Sequence, residues 1–269
     1  MGVAGTVFSI VMIGHSLFGH DGPDMLEGAL QAGIGKGVVD EQIINGSPLA
    51  YNWDHAASAE GINARQVLPQ GKTTHVIMTE AVPLRNHTQW SDTSGNIKKF
   101  ADLAASGNRN TKVYVQETWH SLKSGTGAKV EYDDNGHIPW RTRLDQDLAV
   151  WEKAVQSAAA SSRAKSIQLI PAGQGMARLH DEIARGRVPG LSNISGVFAD
   201  DIHLNDYGHY FVTMIQYATI TGRHPNGLPT QFHNNWGKSF KAPSPKLAAA
   251  MQRIAGDTVT SYFGTRLTQ

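Results

Sequence analysis

Five short runs of apolar and β-branched residues recur along the chain, and segments with helical periodicity separate them. Most runs are continuous rather than alternating, which is typical of strands covered on both faces of a sheet. The intervening segments are long enough for the crossover helix that a parallel connection needs. The alternation predicts an α/β fold in which helices flank a mostly parallel, five-stranded sheet. The predicted strands are residues 7–13, 38–44, 74–78, 112–116 and 166–170.

Six further segments have the apolar periodicity of helices, and they lie between or after the predicted strands. The last is the best delimited, because Ser244 is a favourable N-cap residue and Pro245 suits the first helical position. The predicted helices are residues 23–32, 97–105, 144–160, 175–185, 207–220 and 245–263. We expect residues 1–269 to form one domain, with the last helix completing it.

Two segments interrupt this simple alternation. Residues 121–140, rich in Gly, Asp and Lys, follow the fourth strand, and residues 222–243, rich in Pro and Asn, precede the last helix. Long loops in compact domains are often functional. Both segments are therefore predicted insertions that either shape a substrate cleft or lie on the surface.

The composition excludes several classes of protein. Of the 269 residues, 40% are hydrophobic and 17% charged, which is typical of a globular chain rather than a disordered one. The 24 basic residues nearly balance the 23 acidic ones, so the net charge of +1 gives no case for nucleic acid or an anionic membrane as partner. The absence of cysteine excludes thiolate metal sites and a cysteine nucleophile. The absence of cysteine is equally compatible with a cytoplasmic protein and with a periplasmic or secreted one.

No apolar stretch is long enough to predict a membrane span. Residues 7–13 are also too short, and lack the preceding basic segment, for a signal peptide.

The first strand runs directly into Gly14-His15-Ser16-Leu17. This places Ser16 at the carboxyl end of a strand, where open α/β sheets bind ligands. Gly14 permits a tight turn that presents the serine, and a following helix would direct backbone N–H groups at whatever the serine attacks. An ordinary strand-to-helix loop has the same composition, so this segment alone is a weak signal.

A second polar segment lies near the other end of the chain. A serine nucleophile needs a base, and the base needs a carboxylate that orients it. Asp200 and His203 are three residues apart before a predicted helix, so the carboxylate could hold the imidazole while its other nitrogen faces Ser16. The segment reads Asp200-Asp201-Ile202-His203-Leu204-Asn205.

Together the two segments resemble the first and last motif blocks of the GDSL, or SGNH, hydrolase superfamily. The resemblance implies a three-layer, flavodoxin-like α/β/α fold. It also implies Ser16 as nucleophile, His203 as base and Asp200 as the residue that orients the base. No cofactor is implied.

The resemblance further implies an oxyanion hole built from the Ser16 N–H, a glycine after the second strand and an asparagine after the third. Gly46 follows the second strand directly. The third block departs from the family's G-x-N-D pattern, because the first asparagine after that strand is Asn86, and Thr79 or Glu80 could occupy its place. His15 replaces the family's aspartate and is interpreted as structural.

Three residues on the same edge are predicted to contact substrate. Glu117 and Trp119 follow the fourth strand, and Trp140 lies beside the first insertion. Aromatic faces near polar residues suit sugar rings, although most such aromatics pack in the interior. These residues favour a short acyl ester, such as acetyl, on a carbohydrate. The alternatives are a lipid or aryl esterase, an acyltransferase, or a non-catalytic glycan-binding protein on a degenerate hydrolase fold.

Twelve histidines raise a metal hypothesis. No recognised zinc pattern occurs, so we rank a metalloenzyme below a serine hydrolase. A dinucleotide-binding protein ranks lower still, because the first turn lacks the glycine-rich fingerprint. The candidate metal ligands are His15, His20, Asp21, His203 and His209.

Overall fold

The computed structural model describes residues 8–268, and a six-stranded sheet forms its centre. The strands are β1 Phe8–Gly14, β2 Gly37–Ile43, β3 Glu60–Gly61, β4 His75–Met78, β5 Lys112–Gln116 and β6 Ile167–Ile170. They lie in the order β3-β2-β1-β4-β5-β6. All neighbours pair in parallel except the two-residue β3, which is antiparallel to β2 at the edge.

The five predicted strands are confirmed to within one residue at each end, although residue 7 lies outside the described part of the chain. The sixth strand, β3, was not predicted. It is only two residues long and both are exposed, so it leaves no hydrophobic pattern in the sequence.

Nine helices occur in the part of the chain that the structure describes. The six predicted helices are confirmed, and the longest of the three unpredicted ones has seven residues, too few to display a periodicity. The helices are α1 Asp21–Ile34, α2 Leu49–Asp54, α3 Ala64–Val67, α4 Leu84–Trp90, α5 Thr93–Gly107, α6 Trp140–Ser161, α7 Ala172–Ala184, α8 Asp206–Thr221 and α9 Pro245–Phe263. The Ser244 hydroxyl caps α9 by accepting the Leu247 N–H at 3.3 Å.

Hydrophobic side chains cover both faces of the sheet. Successive strand residues point to opposite faces, so Ile10 and Met12 of β1 pack with α1, α7, α8 and α9, whereas Val11 and Ile13 pack with α5 and α6. Burying each such side chain contributes about 1.5–3 kcal/mol. The result is the expected α/β class, a mostly parallel sheet between two layers of helices.

The strand order changes direction beside β1. The chain first adds β2 on one side of β1 and later adds β4, β5 and β6 on the other. In open parallel sheets, the crevice at such a switch point, at the carboxyl ends of the strands, is where ligands bind. Ser16 follows β1 at this place.

The first predicted insertion is held by a buried ion pair. Arg143 of α6 is fully buried, and its Nη1 donates to the Ser124 hydroxyl at 3.2 Å and to the Asp133 carboxylate. The Ser124 hydroxyl in turn donates to the Ile138 carbonyl at 2.7 Å. Residues 121–139 are therefore anchored at several points although they contain no helix or strand.

The second predicted insertion lies against α1 and α9. The Asn235 amide donates to Asp24 of α1 at 2.6 Å, and the Gln252 side chain of α9 accepts the Gly227 N–H at 3.0 Å. Phe232 is buried over Gly28, where any Cβ would approach the ring to 2.8 Å. Within residues 8–268, none of the helices combines the length and apolarity needed to cross a membrane.

Candidate active site

Ser16 lies in a tight turn between β1 and α1. The His15 carbonyl accepts the N–H groups of Phe18 and Gly19 at 2.9 and 3.3 Å, which closes the turn. Gly14 must lack a side chain here, because a Cβ would come within 2.8 Å of the Phe18 ring and 2.9 Å of the Thr79 methyl. The turn therefore holds Ser16 half-buried at the carboxyl edge of the sheet.

Asp200 and His203 lie in a short loop that is closed on itself. Phe198 and Leu204 form an antiparallel bridge across its base, and the Ala199 N–H donates to the His203 carbonyl at 2.8 Å. Asn205 joins this loop to α8, because its side-chain oxygen accepts the Tyr207 and Gly208 N–H groups that begin the helix. The Asn205 amide also donates to two carbonyls preceding the loop.

A chain of two hydrogen bonds connects Ser16, His203 and Asp200. The His203 Nε2 lies 2.9 Å from the Ser16 hydroxyl, and its Nδ1 lies 2.7 Å from Asp200 Oδ2. The three residues predicted from distant parts of the sequence are thus brought together. This is the geometry in which an imidazole can remove a serine proton while a carboxylate fixes its ring.

The environment of Asp200 keeps its carboxylate ionised. Partial burial alone would raise its pKa, but Oδ1 accepts the Ile202 N–H at 2.8 Å and the His203 N–H at 2.7 Å. These bonds, with the His203 ring, lower the pKa of Asp200 to about 2. The carboxylate is therefore charged throughout the pH range in which histidine titrates.

Two backbone N–H groups near Ser16 are free to bind an anionic oxygen. Within residues 8–268, neither the Ser16 N–H nor the Gly46 N–H donates to a protein acceptor. Gly46 has a φ of 67°, in the region that favours glycine. The buried side chain of Asn52, which the sequence analysis missed, donates to the Gly14 carbonyl at 3.1 Å and to the Ser47 hydroxyl at 2.9 Å. It thereby ties the Gly46 turn to the end of β1.

Asn86, the predicted third oxyanion donor, lies in α4 and is buried. Its Nδ2 donates to Asp134 of the first insertion at 2.7 Å, and its Oδ1 has no partner within residues 8–268. The structure therefore shows the Asn86 amide bound to the insertion, and the oxyanion role stays a prediction.

Glu80 and His15 brace the loops around the site. The buried Glu80 carboxylate accepts the N–H groups of Leu49 and Ala81 and the Thr93 hydroxyl, at 3.0, 2.9 and 2.8 Å. The His15 Nε2 donates to the Glu80 carbonyl at 3.1 Å. Burial, together with nearby histidines, lowers the pKa of His15 to about 4, so the ring is neutral at pH 7.

The role of Glu117, Trp119 and Trp140 in contacting substrate stays a prediction, and the structure places all three in the interior. All three are buried, and Trp119 is 0% exposed, so no ring face is open to a sugar. The Trp119 Nε1 donates to the Ile202 carbonyl at 2.7 Å, which supports the loop that carries His203. The sequence could not show this burial, because the ring that closes over both tryptophans is the distant Phe198.

The other two of these residues also have structural roles. The Trp140 Nε1 donates to the His120 carbonyl at 2.9 Å. Both Glu117 oxygens accept hydrogen bonds at 2.9 Å from Gln174, one from its backbone and one from its amide.

The candidate metal ligands do not form a metal site. Among residues 8–268, no group of three or more His, Asp or Glu side chains could hold an ion. His20 instead lies between two carboxylates, with Nδ1 3.0 Å from Glu41 and Nε2 2.8 Å from Glu60. The hydrogen bond to Glu41 raises the pKa of His20. His209 is buried in α8, where desolvation lowers its pKa.

Solved structures share this fold. A crystal structure of a DUF4886 family protein from Bacteroides uniformis has a TM-score of 0.63 and 15% identity, over 98% of each chain. A protein from Parabacteroides merdae that is named a GDSL-like lipase has a TM-score of 0.51 and 11% identity, over 78% of this chain and 94% of that one. At these identities the likeness shows the fold alone. No protein-family model and no curated protein matches the chain.

Proposed function

We propose that this protein is a serine esterase of the GDSL, or SGNH, type that hydrolyses short acyl esters, with acetyl as the preferred acyl group. The observation that carries the proposal is the hydrogen-bonded chain from the Ser16 hydroxyl through His203 to the Asp200 carboxylate. The fold shared with a protein named a GDSL-like lipase supports it more distantly.

The reaction begins when the Ser16 hydroxyl attacks the ester carbonyl and His203 Nε2 takes its proton. Asp200 holds the ring through Nδ1 and stabilises the imidazolium that forms. The carbonyl oxygen becomes an oxyanion, and the free N–H groups of Ser16 and Gly46 are suited to bind it, with Asn86 as the third candidate donor.

The tetrahedral intermediate then collapses. The bond to the leaving alcohol breaks, and His203 returns its proton to that alcohol. Water then attacks the acyl group on Ser16, again with His203 as base, which releases the carboxylic acid and restores the serine. The two steps consume one water and require neither an oxidant nor a reductant.

The surface around the site favours a short acyl group. A long acyl chain needs a contiguous exposed apolar patch. Within residues 8–268, the large apolar side chains that are well exposed are Val38, Tyr51, Trp90, Tyr132 and Trp236. Four are aromatics that belong to four separate segments of the chain, and the aliphatic one, Val38, lies at the start of β2, at the opposite end of the sheet from Ser16.

Hydrolysis of p-nitrophenyl esters tests the proposal. We expect acetate to be cleaved faster than longer acyl esters, a fluorophosphonate to label the protein and block cleavage, and EDTA to have no effect. Ser16→Ala should abolish both cleavage and labelling while leaving the unfolding transition in place. A Ser16→Ala protein that cleaves near the wild-type rate would remove this serine from the mechanism, and inhibition by EDTA alone would favour a metal mechanism.

A further inference from the structure

A cavity of about 180 Å³ lies at the carboxyl edge of the sheet, between the loops that follow β4 and β5. The first insertion and the loop of residues 200–203 complete its walls. The lining combines apolar residues, among them Val82, Pro83, Val130 and Ile202, with polar ones that include His120 and Glu131. We call this space the β4–β5 cavity.

The β4–β5 cavity is tied to the loop that carries His203. Ile202, one of its walls, precedes His203 directly, and its carbonyl is held by the buried Trp119 indole at 2.7 Å. The Asp201 carbonyl accepts the Leu122 N–H at 2.6 Å, which joins this loop to the start of the insertion. A second, larger cavity of about 560 Å³ lies between α6, α7 and α9 and shares no lining residue with the Ser16 and His203 loops.

Two polar residues that line the β4–β5 cavity offer hydrogen-bond acceptors. His120 is 3% exposed, and its Nε2 lies 2.8 Å from Asp147 Oδ2. Its Nδ1 has no partner within residues 8–268. Burial lowers the pKa of His120, so the ring is neutral, and the tautomer with its proton on Nε2, the nitrogen beside Asp147, has its lone pair on Nδ1.

Glu131 supplies a second acceptor. It is exposed at the cavity, and its carboxylate forms no hydrogen bond or ion pair within residues 8–268. A lining that combines acceptors with apolar side chains matches a ligand that carries both hydroxyl donors and C–H groups. A sugar ring carries both.

The first insertion carries an exposed aromatic residue between two residues that line the cavity. Tyr132 is 78% exposed, and both of its neighbours, Glu131 and Asp133, line the cavity. Its φ of 57° lies in the left-handed region, which is unusual for a residue of this size. Asp133, bound to the buried Arg143, holds this backbone in place. An exposed aromatic ring on an anchored backbone offers a surface on which the C–H face of a sugar can lie.

We propose that the β4–β5 cavity binds the alcohol half of the ester as a single sugar ring, whose hydroxyls donate to His120 and Glu131. This inference rests on the proposed esterase function and names its substrate class. A volume of about 180 Å³ is below the roughly 300 Å³ at which pockets for drug-sized ligands begin, so it suits one ring rather than an oligosaccharide. The acyl group then stays at Ser16, outside the cavity.

Filling the cavity tests the inference. Val130→Phe places an aromatic ring against one wall, and Val38→Phe is the matched control at the far end of β2. For each protein we compare kcat/KM for an acetylated methyl xyloside with kcat/KM for ethyl acetate, whose alcohol is too small to fill the cavity. The ratio should fall by about tenfold or more in Val130→Phe, because the added ring takes up space that the sugar needs. It should stay at the wild-type value in Val38→Phe.

Glu131→Gln changes an exposed side chain. It is the second test variant, for use if Val130→Phe disturbs folding. Loss of a hydrogen bond to a charged acceptor should lower the same ratio by about tenfold. A ratio that stays at the wild-type value in Glu131→Gln and in folded Val130→Phe would overturn the inference.

The same proteins separate the inference from the esterase proposal. If neither ester is cleaved, the esterase proposal fails, and a binding measurement tests whether the cavity holds a sugar. The acetylated methyl xyloside is then titrated calorimetrically into Ser16→Ala protein with and without Val130→Phe. Saturable binding that Val130→Phe removes supports a sugar site without esterase activity. No binding, or binding equal in both proteins, overturns it.

Discussion

The buried carboxyl group of Glu117 should make the protein less stable as pH rises, and Glu117→Gln should remove this effect. Glu117 is 1% exposed at the end of β5. Burial raises its pKa from 4.5 to about 8, against the opposing influence of the Gln174 hydrogen bonds. The folded protein therefore retains a proton that the unfolded chain releases above pH 4.5.

The sign and size of the effect follow from this difference. Below pH 4.5 both states are protonated and Glu117 makes no pH-dependent contribution. Between pH 4.5 and 8 the unfolded state is favoured by about 1.4 kcal/mol for each pH unit. Above pH 8 both states are ionised and the loss levels off near 5 kcal/mol, roughly 3.5 units at that rate. Between pH 6 and 8 we expect a loss of about 2 kcal/mol.

Urea unfolding of the wild type and Glu117→Gln at a series of pH values measures the difference. Other buried groups shift stability in the opposite direction, because burial lowers the pKa of His15 and His75 to about 4. Both proteins share these histidines, so the difference between the two stabilities isolates Glu117. The two proteins should be similar near pH 4.5, and the variant should become progressively more stable than the wild type up to pH 8. A difference that stays constant over this range would refute the reasoning.

Three further predictions follow from the site and the insertion. Asp200→Asn places an N–H donor opposite His203 and should lower kcat for p-nitrophenyl acetate by about 10⁴-fold. If Asn86 is an oxyanion donor, Asn86→Ala should lower kcat by about 100-fold or more, whereas Asp134→Ala, which breaks the same Asn86–Asp134 hydrogen bond, should leave it near wild type. Arg143→Met should lower the urea-measured free energy of unfolding by about 3–5 kcal/mol, because a buried carboxylate loses its partner, and adding Asp133→Asn should restore part of it.

Each of these has an outcome that contradicts it. A few-fold effect of Asp200→Asn would mean that the carboxylate does not orient the base. Equal losses in Asn86→Ala and Asp134→Ala would assign Asn86 to anchoring the insertion. An additive double variant would show that Arg143 and Asp133 are not energetically coupled.

The strands and the three residues of the hydrogen-bonded chain could be predicted because their signals are local. A buried parallel strand is a continuous apolar run, and the segment from Asp200 to His203 is a compact motif before a helix. The strand β3 and the helix α3 could not be predicted, because two and four residues are too few to show a period.

The burial of the three residues predicted to contact substrate could not be predicted, for a different reason. Trp119 does lie at the carboxyl edge of the sheet, as its position after β5 indicates, but its exposure depends on which distant side chains pack over it. Phe198, far along the chain, closes one side, and the Ile202 carbonyl satisfies the indole N–H. The segment that lines the β4–β5 cavity instead includes Val130 and Glu131, which have no distinguishing pattern. Sequence distance therefore limited the prediction of the site more than chemistry did.

Because Arg143 anchors the first insertion, substitutions in part of that insertion can be considered separately from the positions of Ser16 and His203. Residues 128–131 lie between the anchors at Ser124 and Asp133, and their own side chains are not needed to hold the segment in place. Substitutions there can alter the cavity wall while the loops of Ser16 and His203 keep the backbone hydrogen bonds that close them. We therefore expect the lining of the β4–β5 cavity to change, by selection or in the laboratory, independently of Ser16, His203 and Asp200.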